Sequence, residues 1–83
     1  MFGEESRILV KLLELGKADI TTLVRELGFS RQAITNNVEL LIRHGLAYDE
    51  YERYPPNRRF IYLTEKGKKV AGRMKEILKI IED

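Results

Sequence analysis

Apolar residues recur at helical spacing in four stretches of this chain and at strand spacing in one interval between them. Ile8, Leu9, Leu12, Leu13 and Leu15 form one face of a helix over about Glu4 to Leu15. Glu4 and Glu5 suit its N-terminal dipole and Gly16 stops it. Ile20, Leu23, Val24 and Leu27 predict a short second helix, about Thr21 to Leu27, capped by Thr21 or Asp19. Ile34, Val38, Leu41 and Ile42 mark the buried stripe of a third, from Arg31 to about His44. Gly28 closes the second helix, Ser30 caps the third, and Gly45 ends it. Thr64 caps a long last helix, about Glu65 to Glu82, that Gly67 and Gly72 weaken locally.

After Gly45 the period shortens. Leu46 to Glu52 is aromatic-rich and partly alternating, and Arg59 to Leu63 is a return strand. Pro55 and Pro56 exclude a central strand between them, and Asn57 favours a bend. The pair is a hairpin with a basic tip.

Two helices joined by a tight turn, the second with a polar outer face, form a helix-turn-helix suited to the DNA major groove. Gln32, Thr35, Asn36, Glu39 and Arg43 lie within about 100° on a helical wheel, opposite Ile34, Val38 and Leu41. Gln32 and Asn36 are each able to make the two-bond contact that adenine offers. Thr35 suits a thymine methyl or a phosphate, and Arg31 a guanine or a phosphate. Ser30 and the first amides of the helix suit phosphate. Glu39 either pairs with Arg43 four residues on or accepts from a cytosine amino group. Asn37 falls on the inner side. An ordinary solvated helix would have a similar outer face, and the basic hairpin tilts the balance toward DNA.

Charge sharpens that reading. The chain has 83 residues and a net charge of +2, unevenly spread. Residues 1–52 carry a net −3 and residues 53–83 a net +5. Between Arg53 and Lys75 there are eight basic residues and one acid, Glu65. Arg53, Arg58 and Arg59 put that charge at the hairpin, where a polyanion is the matching partner. Tyr48 and Tyr62 are read as packing aromatics, and Tyr54 as a tip residue near phosphate.

The length allows one domain with a modest core. With no cysteine there is neither a disulfide framework nor a thiolate metal site, and one histidine does not build a zinc site. No cofactor is expected. No apolar run is long enough to cross a bilayer, and the acidic N-terminus does not resemble a secretory signal, so a cytoplasmic protein without membrane contact is expected. No Gly-rich phosphate loop, Cys nucleophile or readable carboxylate pair suggests an enzyme.

Three segments in order resemble winged-helix transcriptional regulators of the MarR and PadR type. Leu27-Gly28-Phe29-Ser30 looks like the turn before the recognition helix. Leu41-Ile42-Arg43-His44-Gly45-Leu46 looks like the helix end leading into the first wing strand. Arg58-Arg59-Phe60-Ile61-Tyr62-Leu63-Thr64-Glu65-Lys66-Gly67 resembles the second wing strand and the start of a dimerisation helix. The resemblance implies a mainly α fold: a three-helix core, a two-stranded wing and a long C-terminal helix. Residues 1–63 would form the winged-helix DNA-binding domain, and 64–83 a dimerisation helix packed on it.

The implied function is a homodimeric, sequence-specific double-stranded DNA-binding regulator. Its DNA contacts would be Ser30, Arg31, Gln32, Thr35, Asn36, Arg43, Arg53, Arg58 and Arg59. Val70, Met74, Ile77, Leu78 and Ile81 would form the dimer interface, with help from the first helix and Phe2. Two departures stand out. The Asp-x-Arg pair of MarR wings is replaced by Asn57-Arg58-Arg59, without the acid. A single long C-terminal helix leaves no roomy pocket for a small-molecule effector. The alternatives are a protein-interaction winged helix and a non-specific architectural DNA-binding protein.

Overall fold

The first helix, α1 (Glu4–Leu15), ends at Gly16, whose φ of 84° lets its N–H reach back to the Leu12 carbonyl. The computed structural model describes residues 3–82, so the expected role of Phe2 lies outside the described residues. Two residues then form β1 (Lys17–Ala18) before α2 (Ile20–Leu27) and α3 (Arg31–Arg43). The hairpin strands are β2 (Ala47–Tyr51) and β3 (Arg59–Leu63), and α4 (Glu65–Glu82) completes the chain.

The sheet has three strands in the order β1-β3-β2, all antiparallel. The sequence predicts only the hairpin. The added strand pairs Lys17 with Tyr62 and Ala18 with Ile61, a segment too short to show a period of its own. Asp19, not Thr21, caps α2: its carboxylate accepts the Thr22 N–H at 2.7 Å.

The core lies between α1, α2, α3 and the inner face of the sheet. Ile8, Leu12, Leu23, Ile34, Val38 and Ile61 are wholly buried there. Each removes about 1.5–3 kcal/mol worth of apolar surface from water. The inner face of the hairpin alternates as a half-buried sheet should, with Ala47, Ile61 and Leu63 inward. Tyr48 and Tyr62 point outward and stack on each other, with ring centroids 5.2 Å apart, and Lys17 sits over the Phe60 ring.

α4 packs antiparallel along α1, with ion pairs Arg7–Glu82 and Lys75–Glu14 spanning the pair. Its start is stitched to the α3–β2 connection. Thr64 Oγ1 accepts the Gly67 N–H at 2.9 Å and donates to the Gly45 carbonyl at 2.7 Å. Leu78 differs from its expected place in a dimer interface: it is 7% exposed and belongs to the chain's own interior. Val70 packs in part against the same core.

Candidate nucleic-acid interface

The α2–α3 turn aims the third helix. Gly28 takes a left-handed conformation, φ 74°, and its N–H bonds the Val24 carbonyl at 2.9 Å. Phe29 packs against the core and fixes the exit direction. Ser30 Oγ then accepts the Ala33 N–H at 3.1 Å. That cap leaves the N-terminal amides of α3 turned outward, a setting that favours anions.

The buried stripe Ile34, Val38 and Leu41 holds α3 with its polar face in solvent. Arg31, Gln32, Asn36 and Arg43 are placed on that face, with Thr35 half-buried beside them. Arg31 donates to Thr21 Oγ1 at 2.8 Å, which tethers it to the start of α2. Gln32 Nε2 lies 3.4 Å from Asn36 Oδ1, so the two amides lie side by side on one surface. Asn37 faces inward, donating to the Ala33 carbonyl at 2.9 Å and to Glu4 at 3.3 Å.

The tip of the hairpin is shaped by Asn57. Its φ is 55°, its N–H donates to the Tyr54 carbonyl, and its side-chain amide donates to the Glu52 carbonyl at 3.0 Å. Arg53 and Arg58 flank this turn, exposed, with no ion pair among the described residues. The Arg58 charge reaches the start of α2. Hydrogen bonding from Thr22 holds the Asp19 carboxyl below its usual range, and Arg58 and Arg25 add smaller contributions.

Arg59 is placed differently from a free basic residue. Its Nε donates to Asp49 Oδ2 at 2.7 Å, and another guanidinium nitrogen donates to Glu39 Oε1 at 2.8 Å. Burial opposes its charge, but the bonds to Glu39 and Asp49 prevail and hold it above the ordinary arginine value. Glu39 therefore pairs with Arg59, not with Arg43 as helical spacing suggests. The acid absent from Asn57-Arg58-Arg59 is supplied by residues 10 and 20 positions earlier. Nothing in local sequence marks Asp49 as that partner, because only strand pairing brings it to Arg59.

An open cleft of about 490 Å³ lies between α1, the end of α2 and α4. Val10, Leu27 and Leu78 lie at its base, and ion pairs among Arg7, Glu82, Lys11, Glu26, Lys75 and Glu14 line its rim. Beside the single long C-terminal helix the fold thus leaves a hollow that is open to solvent.

Solved structures with the same arrangement include a transcriptional regulator homologue from Pyrococcus horikoshii OT3. It is 23% identical, with a TM-score of 0.79 over 95% of this chain and 79% of that one. The chain has the winged-helix fold. SSV1 F-93 matches over 99% of this chain and 92% of its own, at 24% identity and a TM-score of 0.79. A protein described as a MarR family transcriptional regulator from Listeria monocytogenes, solved in complex with 26mer DNA, has a TM-score of 0.86 at 18% identity. It covers 93% of this chain, which spans only 51% of that protein. The chain likewise spans about half to two thirds of several other matches. No protein-family model and no curated protein matches it. Within the winged-helix fold α3 is the second helix of the helix-turn-helix and the β2–β3 hairpin is the wing. No helix among the described residues is long and apolar enough to cross a membrane.

Proposed function

We propose that the protein is a homodimeric transcriptional regulator that binds double-stranded DNA, with α3 in the major groove and the wing beside it. The observation that carries this reading is the polar face of α3 flanked by the exposed wing cations Arg53 and Arg58. Gln32 and Asn36 supply paired donor and acceptor groups for base edges. Ser30, Arg31, Thr35 and Arg43 surround them with groups suited to phosphate or base. Arg53 and Arg58 suit the flanking backbone or a narrow minor groove. The DNA complex of the Listeria protein lends the reading support. The dimer would form along the apolar flank of α4, where Ile77, Ile80 and Ile81 are exposed.

Fluorescence anisotropy of a labelled duplex across a salt series tests the proposal. Binding should fall log-linearly with salt. Replacing Arg53 and Arg58 together by alanine should weaken binding to every sequence and reduce the slope by about 0.9 for each phosphate no longer neutralised. Absence of binding at low salt would overturn the DNA reading in favour of a protein-interaction winged helix. Equal affinity for all sequences after site selection would indicate an architectural role.

A further inference from the structure

We infer that Arg59 is a positioning residue, a clamp that sets the wing against the recognition helix, and not a DNA contact. The inference deepens the DNA-binding reading and rests on it. Three elements meet at one guanidinium. Glu39 comes from α3, Asp49 from β2, and Arg59 itself from β3. The strand register pairs Asp49 with Ile61 and Tyr51 with Arg59, so Asp49 is the diagonal neighbour of Arg59 on the inward side of the hairpin. That side faces α3, and Glu39 completes the bridge from there.

The geometry suits a clamp. Different nitrogens of one planar group serve the two acids at 2.7 and 2.8 Å, so its orientation is set as well as its position. The Arg59 side chain is only 20% exposed. Two carboxylates against one guanidinium leave the cluster net negative, an unfavourable place for a phosphate. Reaching DNA would require Arg59 to leave both acids, exposing two carboxylates between the recognition helix and the wing. Arg58, the preceding residue, is exposed, has no acid partner among the described residues, and is, like Arg53, a free wing cation.

The clamp explains a residue that otherwise opposes the proposed function. Glu39 lies on the polar face of α3, where a carboxylate repels phosphate. Simple electrostatics says that Glu39→Gln should tighten DNA binding. The clamp says the opposite, because releasing Arg59 frees the wing to leave its place beside α3.

The same salt-series measurement separates the two, with Arg58→Ala as reference. Glu39→Gln should weaken binding about tenfold, the cost of one charged hydrogen bond. Arg59→Met should weaken it similarly with no change in salt slope, whereas Arg58→Ala should lower the slope by about 0.9. Arg59→Lys should fail to rescue, since an ammonium does not reproduce the fork that meets both acids. Tighter binding by Glu39→Gln, a lowered slope for Arg59→Met, or full affinity for Arg59→Lys would each overturn the inference. A readout in the free protein keeps it separate from the DNA reading: backbone amide order parameters for Glu52, Arg53, Tyr54, Asn57 and Arg58 should fall in Glu39→Gln and Arg59→Met. Unchanged order there would refute the clamp even if the protein bound no DNA. Failure of the wild-type protein to bind DNA would refute the function and leave the clamp to be judged on wing order.

Discussion

Gly67 stands where the fold has no room for a side chain. A methyl group there would run into the carbonyl oxygen of Leu46, on the connection to which Thr64 ties the start of α4. Gly72, five residues on, has nothing near its missing Cβ. The two look alike in the sequence, as helix-weakening glycines. Their substitutions should therefore have opposite signs. Gly72→Ala should stabilise by about 0.5–1 kcal/mol, the helix-propensity gain, and Gly67→Ala should destabilise by about 1–3 kcal/mol through overpacking. Urea denaturation followed by far-UV circular dichroism checks both. The acid pairing shows the same gap between local pattern and outcome. Spacing pairs Glu39 with Arg43, but its partner is Arg59, a partly buried guanidinium that Asp49 already holds in place beside α3.

Among the elements, α4 shows how one apolar stripe divides. At 18 residues it spans about 27 Å at the usual rise. Its face toward α1 buries Ala71 and Leu78, and Val70 is partly covered. The neighbouring flank leaves Ile77 and Ile81 exposed and Ile80 75% exposed. The 4-3-4 spacing of Val70, Met74, Ile77 and Ile81 is visible in the sequence, but which edge of so wide a stripe meets α1 is not. Ile77→Asp and Ile81→Asp should each keep the fold and yield monomers in sedimentation velocity. An unchanged sedimentation profile would remove the α4 dimer. Leu78→Asp should instead unfold the chain, because it buries a charge without a partner.

At the scale of the whole molecule, the polar face of α3 and the exposed flank of α4 project from one core. The chain measures about 43 × 26 × 20 Å. A two-fold dimer of that size can present its α3 helices to successive major grooves, about 34 Å apart along one face of the duplex. Selection from random duplexes should therefore return a pseudo-palindrome with half-sites about one helical turn apart. A strong site without internal symmetry would argue against the two-fold dimer. Changes at Gln32 or Asn36 belong to the same experiment: they should alter which sequence is selected more than affinity for random DNA.

Helix positions, the Ser30 cap and the turn before α3 follow from the sequence because they depend on neighbours within a few residues. Periodic apolar positions place four helices, Gly28 and Ser30 build the turn, and Asn57 bends the hairpin tip. The polar face of α3 follows from the same periodicity, since burying Ile34, Val38 and Leu41 leaves one side for solvent. Other features depended on residues distant in the chain. The third strand exists because Lys17 and Ala18 find an open edge of β3. The cleft between α1, α2 and α4 exists because their packing leaves space over Leu27 and Leu78. Arg59 differs from Arg58 because strand pairing turns it inward toward Asp49 and Glu39. Adjacent residues in a strand point to opposite faces, and only the assembled sheet decides which face meets a helix and which meets water.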